Sequence, residues 1–173
     1  MAKLERTEKP INVIIEERQR GELGLPEIQR GYVWKQTQVR DLIESMYKEY
    51  PCGLILLWKP PSEMVENLKL RESVISTAEV LNNNKKPTFL VLDGQQRLTS
   101  VIRVLEGVTD IYFNVEEEKF EIKSPKIKGN PLWISVTKVL KDGAIDVWSK
   151  LKSNISGVDD KQYEEYLRRL NRI

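Results

Sequence analysis

The feature that most constrains this chain is a short apolar run that ends in a turn and continues at once as a helix. Thr88-Phe89-Leu90-Val91-Leu92 has the length and apolar continuity of a buried strand. It runs into Asp93-Gly94. From Gln95 to Glu106 the residues Leu98, Val101, Ile102 and Leu105 then fall at helical spacing, and Gly107 is a natural C-cap.

A turn of this kind has a physical use. Gly94 lets the backbone turn sharply and lets a ligand approach with no Cβ in the way. The first amides of a helix have no intrahelical partner and lie at the positive end of the macrodipole, which suits a phosphate. Arg97 falls in that first turn and can add a guanidinium to the same oxygens, Gln95 and Gln96 can donate through their amides, and Asp93 can hold a divalent cation or orient a water. A plainer reading competes: Asp93 with Gln96 three residues on is a capping box, and Gly94 simply makes the turn. Taken alone, the pentapeptide favours capping. Two adjacent glutamines followed by arginine, at the mouth of an apolar β–turn–α unit, shift the balance towards a site. A second candidate is Gln29-Arg30-Gly31-Tyr32-Val33-Trp34. If this segment is extended, Arg30, Tyr32 and Trp34 share one face and can meet a base or a phosphate. Alone it reads better as core aromatics beside a surface arginine.

Composition removes several chemistries. There is no histidine among the 173 residues, so a His-metal nuclease, a His-ligated zinc site and a Ser-His-Asp triad are excluded within this chain. One cysteine, Cys52, forms neither an internal disulfide nor a thiolate-rich metal site. With 28 basic and 26 acidic residues the net charge is +2, too balanced to imply nucleic-acid binding from bulk electrostatics. No apolar run approaches the roughly 18 residues of a membrane span, and the charged start Met1-Ala2-Lys3-Leu4-Glu5-Arg6 lacks a signal-peptide core. The expectation is a cytoplasmic protein.

The rest of the chain reads as mixed structure. Ile11 to Ile15 suits a strand or a helix start. Val39, Leu42, Ile43, Met46 and Tyr50 predict a helix with Thr37 as N-cap and Pro51 as its stop, and Gly53-Leu54-Ile55-Leu56-Leu57-Trp58 predicts a buried strand. Residues 62–86 are the least regular part, an excursion with an exposed Asn82-Asn83-Asn84-Lys85-Lys86 tip. Ile111 to Val115 and Phe120 to Ile122 form a hairpin across Glu116-Glu117-Glu118, and Trp133-Ile134 adds a short strand. Ser135 caps a helix that ends near Gly143. The tail from Asp159 to Arg172 is an amphipathic helix with Tyr163, Tyr166, Leu167 and Leu170 on one side. Local pairings with scattered helices predict an α+β fold rather than a doubly wound sheet.

Several of these segments recur, in this order, in a known family. Pro26-Glu27-Ile28-Gln29-Arg30-Gly31-Tyr32-Val33-Trp34, Leu42-Ile43-Glu44-Ser45-Met46, Tyr50-Pro51-Cys52-Gly53-Leu54-Ile55-Leu56-Leu57-Trp58 and Leu92-Asp93-Gly94-Gln95-Gln96-Arg97-Leu98-Thr99-Ser100 resemble the N-terminal domain of GmrSD-type modification-dependent restriction enzymes. The resemblance implies a ParB/sulfiredoxin-like mixed sheet with flanking helices. It divides the chain into an extension over residues 1–25, a nucleotide-binding core over 26–150 and a C-terminal helical segment over 151–173. It also implies binding, and hydrolysis, of a nucleoside triphosphate (NTP) in the control of DNA restriction. By position, Gln29, Arg30, Gly94, Gln95, Gln96 and Arg97 carry over as nucleotide-binding residues. Asp93, Gln96 and Arg97 carry over as catalytic ones, with Asp93 the ligand of a Mg2+ ion. The implied partners are the nucleotide and DNA, the latter met directly or through a nuclease, with no membrane and with a homo-oligomer among the admissible states. The HNH-type nuclease that often follows in the family needs histidine and is not in this chain. The alternative reading is a non-catalytic ParB-like module that senses DNA through Arg30 and Arg97.

Overall fold

The computed structural model describes residues 7–65, 69–70, 75, 86–155 and 157–173. The fold is α+β, and it divides into two compact units: Met1–Tyr32 with Leu54–Leu98, and Val33–Gly53 with Thr99–Ile173.

The first unit holds helix α1 (Ile11–Gln19), strands β1 (Leu23–Gly24) and β2 (Leu56–Trp58), the short helix α3 (Ser62–Val65) and strand β3 (Phe89–Asp93). The stretch from Ile11 to Ile15 therefore resolves as helix. β3 is the centre of a mixed three-stranded sheet, parallel to β1 and antiparallel to β2. Its middle is apolar because both of its faces are covered: Leu90 and Val91 are fully buried, as are Leu23 and Leu25 beside them. β1 escaped the sequence reading because a single leucine and a glycine carry no period. Gly24 is there for space, since a Cβ would stand 2.8 Å from Pro87 Cγ.

β2 corrects an expectation. The run from Gly53 to Trp58 is not a buried strand. Only Leu56–Trp58 pairs, at one edge of the sheet with a register shift between Leu56 and Leu57, and Leu54 and Leu56 are exposed. The segment from Pro26 to Trp34 is not a strand either. Pro26 makes an isolated bridge to Leu70, Gln29 N–H closes a turn on the Pro26 carbonyl, and residues 30–35 are irregular. Tyr32 and Trp34 are half-buried rather than core aromatics. The asparagine tip at residues 82–85 lies outside the described residues.

The second unit contains α2 (Gln36–Tyr47), the hairpin β4 (Ile111–Asn114) and β5 (Lys119–Ile122), β6 (Trp133–Ser135), and helices α5 (Val136–Asp142), α6 (Ala144–Lys152) and α7 (Asp160–Leu170). Helix α4 (Gln95–Glu106) starts in the first unit and continues in the second. β4 is the central strand of an antiparallel sheet in the order β5-β4-β6. Its core is an aromatic triad. Phe113 lies 5.0 Å from Tyr47 and 4.8 Å from Phe120 between ring centroids, in the tilted geometry that ring quadrupoles favour. α6 and α7 meet through Trp148, 5.6 Å from Tyr163 and 5.7 Å from Tyr166.

The helix ends follow local chemistry where the sequence offers it. Ser135 accepts from Lys138 N–H, Asp159 accepts from Gln162 N–H, and α4 leaves through Gly107 with Val108 N–H on Arg103 O and Gly107 N–H on Val104 O, a Schellman pairing. α2 departs from expectation at both ends. Its N-cap is Lys35, whose N–H is taken by Gln38 Oε1 at 3.0 Å, not Thr37. It stops at Tyr47, with Glu49 turned to φ 58°, so Tyr47 rather than Tyr50 enters the core. No helix among the described residues is long and apolar enough to cross a membrane.

Candidate functional site

The turn after β3 has the predicted form. Leu90 and Val91 are buried, and Leu92 and Asp93 emerge. Gly94 then adopts φ +83°, and α4 begins at Gln95. Gly94 is held by space as well as by torsion, because a Cβ there would stand 3.1 Å from Ile55 Cα, Ile55 Cγ1 and the Leu54 carbonyl oxygen. The backbone at 54–55 thus presses on the turn. The sequence reading did not place it in the site, although Gly53 and its neighbours belong to the motif order noted above.

The register of the cap decides between the two readings of Asp93. The Gly94 carbonyl accepts the first helical bond, from Leu98 N–H at 3.0 Å, so Gly94 is the N-cap and Arg97 is the third helical residue. Asp93 is the last residue of β3, one position ahead of the cap. A capping box joins the cap to the third helical residue, so the Asp93–Gln96 pair is out of register for it. The carboxylate is left 77% exposed at the mouth of the turn.

The glutamines are structural in their immediate contacts. Gln95 Nε2 donates to Arg30 O at 2.8 Å, Gln96 Nε2 to Gly31 O at 3.0 Å, and Gln29 Nε2 to Leu92 O at 3.0 Å. Three side-chain amides therefore stitch residues 29–31 to the strand end and first helical turn. Gln95 and Gln96 are both buried, so removing either amide strands a carbonyl at a cost of about 1 kcal/mol or more. Residues 29–31 thus lie against the Asp93–Arg97 turn, held through main-chain acceptors. The Arg30 side chain is exposed and pairs with nothing among the described residues.

Arg97 is the charged element of the turn. Its Nη2 donates to the Leu54 carbonyl and lies 3.4 Å from Asp93 Oδ2, while its Nε is buried with no hydrogen-bond partner among the described residues. The ion pair is a loose one on a mostly exposed carboxylate, worth about 0–1 kcal/mol. A buried cationic N–H without an acceptor costs about 1–3 kcal/mol, and no described residue supplies that acceptor. No group of three or more Cys, Asp or Glu side chains able to hold a metal ion occurs among the described residues.

A family described as GmrSD restriction endonuclease, N-terminal domain, matches residues 11–172, which includes both units. An uncharacterized protein of Methanocaldococcus jannaschii is 32% identical over 125 residues, covering 70% of this chain and 19% of the relative, so the chain spans about a fifth of that relative's length.

Proposed function

The chain belongs to the family of GmrSD restriction endonuclease N-terminal domains, and from that premise we propose that it binds a nucleoside triphosphate at the Asp93–Arg97 turn and serves as the regulatory part of a restriction or defence protein. The observation that carries the reading is the Arg97 guanidinium, only loosely paired with an exposed Asp93, at the N-terminus of α4. A phosphate at this mouth accepts from the part-exposed Arg97 guanidinium and from the first-turn amides, whose positive dipole end favours it. Gly94 makes the left-handed turn that sets the first-turn amides at the end of β3, with Leu54 and Ile55 packed against its Cα.

The roles divide accordingly. Arg97 binds phosphate. Arg30, exposed on the stitched segment, supplies a second cation. Gln29, Gln95 and Gln96 act as positioning residues that fix this segment against the turn. Asp93 orients an attacking water if the nucleotide is hydrolysed. A single carboxylate does not hold magnesium by itself; Asp93 fits as the one protein ligand of an ion that arrives chelated by the phosphates. The ParB/sulfiredoxin-like ancestry belongs to this same reading, as do a nuclease and DNA as the eventual targets of regulation. A DNA-sensing module without catalysis is the second reading, favoured by the exposed Arg30, which pairs with nothing among the described residues.

The test is calorimetric titration of the chain with ATP, GTP, CTP and UTP in the presence and absence of magnesium, with the nucleosides as controls. Saturable triphosphate binding that the nucleosides do not reproduce supports the proposal. Heats indistinguishable from dilution for all four overturn it.

A further inference from the structure

From Leu54 into β2 the exposure alternates. Leu54 is 74% exposed and Leu56 44% exposed, with half-buried Ile55 between them, as in an extended segment whose residues 54 and 56 point to one side. β2 is an edge strand, and from Pro51 to Trp58 the chain has no charged residue. Edge strands that face water ordinarily carry lysine or another charge. A leucine exposed singly needs no explanation, but these two stand at a particular place.

Two contacts fix that place. Leu56 is the cross-strand partner of Asp93, and paired residues project from the same face of a sheet with their Cβ atoms about 5 Å apart. The exposed Asp93 carboxylate therefore has Leu56 beside it. The Leu54 carbonyl accepts from Arg97 Nη2 and lies against Gly94. All of these residues belong to the first unit. The mouth of the turn thus offers a charged pair, Asp93 and Arg97, with two solvent-facing leucines alongside. Ligand sites generally have this make-up, apolar surface around a few convergent polar groups. An inorganic anion leaves the leucines in water. A ligand with phosphate at one end and a flat, weakly polar group at the other covers both.

We propose that Leu54 and Leu56 are the nucleoside-contacting side of this site, so that the turn takes a nucleoside triphosphate in preference to inorganic triphosphate. This rests on the reading of the turn as a phosphate site. The leucine side chains have no hydrogen-bonding groups, so they act through buried area. Covering about 60 Å² of their surface corresponds to roughly tenfold in affinity.

The experiment is calorimetric titration of the chain with ATP, with UTP and with inorganic tripolyphosphate, magnesium present throughout. Wild type is compared with Leu54→Ser/Leu56→Ser and with a control, Val108→Ser/Ile145→Ser, whose side chains are also exposed but lie in the second unit. Wild type binds both nucleotides roughly tenfold more tightly than tripolyphosphate, although the inorganic ion carries the greater charge. The leucine variant loses that margin and keeps its tripolyphosphate affinity, and the control keeps the margin. Thermal melts report folding, and Leu54→Ser alone, at the more exposed position, takes the place of the double variant if that one does not fold. Equal affinity of wild type for nucleotide and tripolyphosphate overturns the proposal while leaving Arg97 as a phosphate ligand. So does a retained margin in the folded leucine variant, a matching loss of tripolyphosphate affinity in it, or an equal loss in the control. Absence of binding by nucleotide and tripolyphosphate alike overturns the phosphate reading, and this proposal with it.

Discussion

Replacing Gly94 by alanine tests the turn apart from its charges. At φ +83° a residue with a Cβ sits in the left-handed region at a cost of about 1–2 kcal/mol. The added methyl also stands 3.1 Å from Ile55 Cα, Ile55 Cγ1 and the Leu54 oxygen, two of which are backbone atoms that cannot swing aside. Relieving that contact costs about 1 kcal/mol in a packed setting. Against this, alanine reduces the freedom of the unfolded chain, which returns about 0.4–1 kcal/mol. The net expectation is a destabilisation of about 1–2 kcal/mol. Urea unfolding followed by circular dichroism measures it: the midpoint falls while the denaturant slope stays at the wild-type value. A variant as stable as wild type, or more stable, refutes the claim that close approach of residues 54–55 and the left-handed torsion require glycine here.

Two further perturbations test the contacts. Gln96→Ala removes the donor to Gly31 O and leaves a buried hole, so stability falls by about 1–2 kcal/mol in the same urea assay, whereas a purely ligand-facing glutamine would cost nothing in the free protein. Tyr47 has its pKa raised well above the ordinary tyrosine value of 10.0, first by burial and then by its hydrogen bond to Glu118. The folded state therefore holds that proton more tightly than the unfolded state. The contribution is fully present below about pH 10 and declines as pH rises above it. Thermal melts from neutral to strongly alkaline pH should show a steeper decline in wild type than in Tyr47→Phe, and parallel declines would contradict the assignment.

The parts of the fold legible in the sequence are those decided locally. β3, the turn and α4 follow from an apolar run, a glycine and a helical period, all within twenty residues. The Ser135 cap, the hairpin and the Asp159 helix were legible for the same reason. What was lost depended on distant partners. An apolar run such as Gly53 to Trp58 does not reveal that only its last three residues pair, at a sheet edge. Helix α6 begins at Ala144 after a Gly143 N-cap that has no side chain to cap with, and Ile145-Asp146-Val147 alternates like a strand, so no local signal announced it. In the site, Arg97 and Gly94 were readable as chemistry. The acceptors of the glutamines lie 65 residues upstream, so their bracing role was not. The one-residue offset of the cap was hidden too, because Asp93 and Gly94 are both acceptable N-cap residues.

The central claim is that Arg97 binds phosphate, and a nucleotide titration of Arg97→Ala beside wild type tests it most directly. Arg97 also donates to the Leu54 carbonyl, so Arg97→Gln, which keeps a neutral donor near that carbonyl, controls for the turn, and melts report whether either variant is unfolded. Loss of charge-assisted hydrogen bonds of about 1.5–3 kcal/mol predicts that triphosphate affinity falls roughly ten- to a hundredfold in both variants while the melts stay close to wild type. Wild-type affinity in a folded Arg97→Ala would contradict the account, and the turn would then be a backbone device with no ligand of its own.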